Sequence, residues 1–246
     1  MQMDTSLGCA STKKKYSFGF LLLLVLIIPA FSQEGFRLVL SGGPQMTAFT
    51  GHDFRSISPR DIAVSRDMTA GFQFGFDFEY YFTERFGLAI GLIFSRHGQV
   101  FLLEFEPDQG SRILDVRLMS AKIPFALLSR LLLTSKTNLF LKAGVYAAYR
   151  TDAEDNYQDV IPEEIGLPPA EDRYSSNDFG WLVGLGAELS LSRMLNLRVA
   201  AGIDGGLRNV FSTEPWGYMA GAAEAKNTTI SLSIGLVYLD PAAENS

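Results

Sequence analysis

Nine charged residues share one phase of a two-residue alternation. Arg37, Asp77, Glu79, Lys142, Arg150, Glu188, Arg198, Asp204 and Arg208 each fall opposite the large apolar side chains of their own segment. Charges of both signs gathered in an interior either pass protons and ions along or neutralise one another as a salt-bridged plug. Counted from the short turns, Lys142, Glu188 and Arg198 stand at nearly one height on three successive segments. Arg37 and Glu79 are level on the first two. Each charge has an opposite partner within reach, so the plug is the reading adopted. Replacing Lys142 by Met is then expected to destabilise the fold more than replacing the neighbouring Leu141 by Val.

Other groups with chemical potential are weaker. Ser95 and His97 share a face and invite a hydrolase reading, but the chain holds only two histidines, His52 and His97, and no acid stands at a spacing that completes a triad. Gly184 and Gly186 are two residues apart on one strand face with no helix after them, so they pack and do not cradle phosphate. Asp152, Glu154, Asp155, Asp159, Glu163, Glu164, Glu171 and Asp172 form an acidic stretch without the glycine register of a calcium loop. It reads as a solvated loop, and no metal or cofactor is assigned. Tyr157, Trp216 and Tyr218 are the candidate loop contacts for a partner or a membrane interface.

The elements that must hold the charges are strands. Along residues 70–82 every second residue is a large ring: Phe72, Phe74, Phe76, Phe78, Tyr80 and Phe82. Successive strand side chains point to opposite faces, whereas a helix would scatter both sets. Six rings do not fit inside a narrow barrel, so they form a lipid-facing girdle around a lumen of glycines and charges. The same alternation recurs in segments starting near residues 36, 86, 113, 138, 178, 196 and 230. Loops are expected at 51–69, 97–112, 151–177 and 209–228, and short turns alternate with them. Arg117 and Lys122 are an odd number of residues apart and Pro124 removes a ladder donor, so a bulge or strand end is expected near Pro124. The expected fold is all-β: an eight-stranded antiparallel up-and-down transmembrane barrel, closed because lipid satisfies no backbone donor.

Lys13, Lys14 and Lys15 before an apolar run at 18–31 read as a signal peptide over residues 1–32, followed by a barrel over 33–240 and a short tail over 241–246. Removing residues 1–32, with three lysines and one aspartate, takes the formal net charge from −6 to −8, which argues against nucleic acid as a partner. The only cysteine, Cys9, leaves with that segment.

Ile123-Pro124, Gly144 with Tyr146 and Tyr149, Asp178-Phe179-Gly180 and Gly184-Leu185-Gly186-Ala187-Glu188 resemble the PorT-like outer-membrane β-barrel family of Bacteroidota. Many such barrels end on an aromatic residue read by the insertion machinery, whereas here residues 239–246 follow Tyr238. The resemblance implies an outer-membrane location and, for some members, assistance to protein secretion. The expectation is a non-enzymatic, monomeric barrel of structural, binding or adhesion type, meeting outer-membrane lipid, lipopolysaccharide and envelope or secretion proteins. A lipid-modifying enzyme is the less favoured alternative.

Overall fold

In the computed structural model, which describes residues 35–51, 62–105, 110–132, 134, 136–160, 169–211 and 225–239, hydroxyls set three tight turns. Thr83 Oγ1 accepts from the Arg85 and Phe86 amides at 3.3 and 2.9 Å, and Thr134 Oγ1 repeats the arrangement with Lys136 and Thr137 at 3.2 and 3.0 Å. Ser192 Oγ accepts from the Met194 amide in the third. Such side-chain caps fix the chain reversal and with it the register of each hairpin.

The turns join β1 (Phe36–Thr50), β2 (Ile62–Tyr81), β3 (Phe86–Phe105), β4 (Ser111–Leu132), β5 (Thr137–Asp155), β6 (Asn177–Ser190), β7 (Leu195–Gly206) and β8 (Lys226–Leu239). Every strand pairs antiparallel with its sequence neighbour, and β1 pairs with β8 to close the ring. Eight alternating segments therefore give eight strands, and the fold class read from the sequence holds. Large apolar side chains stand exposed on the outside of all eight strands, reaching 61% for Leu127 and Ile234. The rings of Phe72, Phe74 and Phe82 are on that exterior too, with Phe74 stacked on Phe94 at 5.2 Å between centroids.

The wall is uneven in height. Strands β2 to β5 have 19 to 22 residues, whereas β6, β7, β8 and β1 have 12 to 15. Crossing a bilayer takes roughly 9–11 strand residues, so the tall wall has a surplus. In that surplus the sidedness inverts: Phe101, Leu103, Leu114, Val116 and Leu118 are buried on the inner face, while Glu104, Arg112, Arg117 and Glu154 are exposed. The short helices α1 (Tyr157–Val160) and α2 (Ala170–Arg173) lie in the connection that follows β5. Tyr157, Tyr174, Phe211 and Ala225 lean against the inner apolar face and complete a buried cluster with Phe49. The cap is tied by Asp155, whose carboxylate takes Arg173 at 2.9 Å and the Tyr174 hydroxyl at 2.7 Å.

Burial, then the Asp155 carboxylate, pushes the Tyr174 phenol well above its usual range. A group whose folded value is raised lends its full stability below the unfolded value, about 10 for tyrosine, and loses it as pH climbs toward the folded one. The margin of the native chain over Tyr174→Phe in thermal melts should be constant below about pH 10 and shrink above it. A margin independent of pH across that range would contradict the bond.

Three expectations are corrected here. The loop expected at 97–112 contracts to residues 106–110, and β2 and β5 run into the segments read as their flanking loops. The outward greasy pattern stops at the top of the apolar band although the strands do not. No bulge or strand end occurs near Pro124: register against β3 is the same on either side, Ile90 opposite Phe125 and Ile93 opposite Lys122. Arg117 and Lys122 do point to opposite faces, and height resolves the conflict, because Arg117 projects outward in the tall wall and pairs with Asp115 at 2.5 Å. Extra residues instead interrupt the register of β2 between Met68 and Phe72, and of β5 at Thr151. The signal-peptide reading of residues 1–32 and the tail 241–246 lie outside the described residues.

Candidate functional site

The inner face of the lower barrel is stacked in ionic layers. In the lowest, Tyr81 carries the guanidinium of Arg130 at 4.0 Å and that of Arg37 at 4.7 Å from its ring centroid. Above it, Arg198 makes a two-pronged contact with Glu79 at 2.6 and 2.8 Å and donates through Nε to Glu188 at 2.9 Å; Arg37 reaches Glu188 at 3.2 Å. Strand register dictates this set, since Arg37 faces Glu79 across β1 and β2, and Glu188 faces Arg198 across β6 and β7. Glu79 and Glu188 are 0% and 1% exposed, so their charges depend on these partners. The Phe140 ring lies beneath the Arg198 guanidinium at 4.3 Å.

Higher up, Lys142 binds Asp77 at 2.8 Å and Lys122 binds Asp204 at 2.7 Å. Both pairs border a cavity of about 120 Å³ that also touches Ser41, Gln73, Ser231 and Ser233. Glycines make room for these groups. A Cβ on Gly91 would sit 2.2 Å from Asp77 Oδ1 and 2.5 Å from the Phe76 carbonyl oxygen, whereas one on Gly184 would meet nothing closer than 3.6 Å. Gly91→Ala is therefore expected to displace Asp77 from Lys142 and cost about 1–3 kcal/mol. Gly184→Ala should change stability by less than about 0.5 kcal/mol. Equal thermal shifts in detergent for the two variants would contradict the arrangement.

Of the nine charges picked out in the sequence, seven meet in these layers or pair across the lumen: Arg37, Asp77, Glu79, Lys142, Glu188, Arg198 and Asp204. Arg150 instead donates to the carbonyls of Ser175 and Glu171, at 3.2 and 2.6 Å. Arg208 is a correction: β7 ends at Gly206, the Arg208 side chain is exposed, and only its amide turns inward, toward Asp178 at 3.2 Å. Lys122, Arg130 and Asp178 were missed. Lys122 falls on the inward phase of β4 and was legible once the strand is taken as continuous through Pro124. Arg130 stands at the turn end of β4, two residues before its last position, Leu132, where too little alternation remains to assign a face.

Tyr157 is also corrected as a contact for partners, being 0% exposed within the cap, where a ring beside apolar strand residues is shielded from solvent. Trp216 and Tyr218, with Glu163 and Glu164, lie outside the described residues. The Ser95 hydroxyl is buried and bonded to Gln45 at 2.9 Å, and among the described residues no hydrogen bond joins it to His97. Asp155, from the acidic stretch, is spent on Arg173 and Tyr174. Among the described residues no three His, Cys, Asp or Glu side chains cluster as metal ligands.

Solved structures similar to the chain include the outer membrane protein OprG from Pseudomonas aeruginosa, at 13% identity over 84% of this chain and 96% of that one, with a TM-score of 0.46. Neisserial surface protein A matches at 11% identity over 83% and 97%, with a TM-score of 0.47. Ail, the attachment invasion locus protein of Yersinia pestis, matches at 11% identity over 83% and 99%, with a TM-score of 0.39. No curated protein matches the chain. A family model described as outer membrane protein beta-barrel domain matches residues 13–212. With most of its length in that match and its strands closed in a ring of eight, greasy without and ionic within, the chain belongs to the outer membrane protein beta-barrel domain family and is a small barrel of the outer membrane.

Proposed function

We propose that this is a monomeric, non-conducting and non-enzymatic barrel of binding or adhesion type, whose working surface is the tall wall of β2–β5 and the long connections beside it. The observation that carries the reading is the surplus height of four adjacent strands, with charged residues outside and a packed apolar cap inside. A pore gains nothing from a capped interior; a platform for contacts at a distance from the bilayer does. Neutrality supports closure as well. Arg37, Lys122, Lys142 and Arg198 pair with Asp77, Glu79, Glu188 and Asp204, four cations against four acids. A balanced, paired interior attracts no ion stream. The exterior rings at 72 to 82 meet outer-membrane lipid, and the exposed charges of the tall wall meet lipopolysaccharide or envelope proteins.

Reconstitution in planar bilayers tests the closure: no conductance above that of the lipid alone is expected, and steady ohmic steps would overturn it. Binding of barrel-bearing vesicles to lipopolysaccharide should fall when the top of the β3–β4 hairpin is trimmed. Unchanged binding would remove the platform. The secretion-accessory role implied by the PorT-like resemblance is the second reading, supported at the lower mouth by Arg130, whose guanidinium lies on the Tyr81 ring. It requires an acidic partner segment at that mouth, detectable by crosslinking from position 130.

A further inference from the structure

Three residues from three strands line one small cavity below the cap, and each carries a polar atom with no hydrogen-bond partner among the described residues: His97 Nδ1 on β3, Ser120 Oγ on β4 and Asn227 Oδ1 on β8. Ser120 and Asn227 are only 5% and 3% exposed, so bulk solvent does not satisfy them in passing. Buried polar groups left unpaired are rare in folded proteins. Here the three share a space of about 40 Å³, and β8 is separated from β3 by β1 and β2 around the ring. Among the described residues no direct side-chain hydrogen bond joins β3 or β4 to β8 at this level.

The walls define what fits. Lys122 and Arg150 flank the space and disfavour a cation. The Asn227 carbonyl oxygen and the Asp178 carboxylate disfavour an anion. Asn227 Oδ1 needs a donor, while the hydroxyl and the imidazole each accept or donate. A small neutral molecule that does both satisfies all three, and a space of this size has room for two or three water molecules at roughly 10–15 Å³ each. We propose that this chamber is a built water site, in which bound water ties β3 and β4 to β8 across the lumen, beneath the cap. Lys122 lines both this chamber and the larger cavity below, and so forms the partition between two hydrated compartments.

A crystal structure of the full chain in detergent, at a resolution that reveals solvent, tests the site. Ordered water within hydrogen-bonding distance of at least two of the three atoms is the expected result. An empty chamber, or a rearrangement that bonds the side chains directly to one another, would overturn it. A double-mutant cycle adds a solution readout. Water-mediated linkage predicts that Ser120→Ala and Asn227→Ala are coupled by about threefold or more in the folding equilibrium constant. Additive effects would count against the bridge. If either variant fails to fold, solvent in the native crystal decides alone.

Discussion

Arg198→Met is expected to be the most damaging single substitution in the barrel, costing about 3–5 kcal/mol, the usual penalty for leaving a buried charge without its partner. The reason lies in the sharing of one guanidinium between Glu79 and Glu188, both fully buried. Once it is gone, Arg37, at 3.2 Å from Glu188, is left to face two carboxylates. The triple variant Glu79→Gln, Glu188→Gln, Arg198→Met removes the charges together and should recover most of the loss, because a buried pair contributes little net stability over neutral groups of like shape. Urea titration of the barrel refolded into lipid vesicles measures both. A triple variant as weak as the single one would show that the layer acts through packing and not through charge.

Val145→Arg carries the next largest effect. Val145 lies near the middle of the outward apolar run of β5 from Leu139 to Tyr149 and is 58% exposed. On a water-facing surface such a change is within about ±0.5 kcal/mol of neutral. In the bilayer midplane an arginine costs about 2–4 kcal/mol and the cost fades toward the interfaces. Leu131→Arg, near the turn end of β4, should therefore cost less than Val145→Arg, although it is equally exposed at 58%. Equal costs at the two depths, read from the same vesicle titrations, would argue against a depth-dependent lipid environment.

The sequence was legible where one rule governed a whole strand. In β6 the alternation of Phe179, Trp181, Val183, Leu185 and Leu189 against glycines and Glu188 runs unbroken, and its expected inward partner Arg198 is in place. Level positions counted from the turns placed Arg37 by Glu79 correctly. The same count set Lys142 beside Glu188 and Arg198, yet it pairs with Asp77 one layer higher, because Asn138 and not Lys142 stands opposite Glu188. Upper strand ends were illegible for a physical reason. Above the band the wall packs like a soluble sheet, so apolar residues such as Phe101 and Leu114 turn inward and the outward apolar pattern that marks a lipid-facing strand reverses. Tyr157 misled similarly: a ring in an acidic stretch looks solvent-bound until the inner face of β3 and β4 is seen to need a cover. Lys122 stands two residues before Pro124, whose missing donor argues for a break in β4, whereas the strand continues past it with its register intact.

The account turns on which medium the two zones of the outer surface face. With Cys9 replaced by Ser, nitroxides at Phe74→Cys and at Arg117→Cys in bilayer-reconstituted protein report this through collisions with oxygen and with a water-soluble nickel chelate. The label at position 74 should collide with oxygen and be hidden from nickel, and the label at 117 should show the reverse. Nickel access at 74 as high as at 117 would contradict a lipid-facing girdle and a tall wall standing in water.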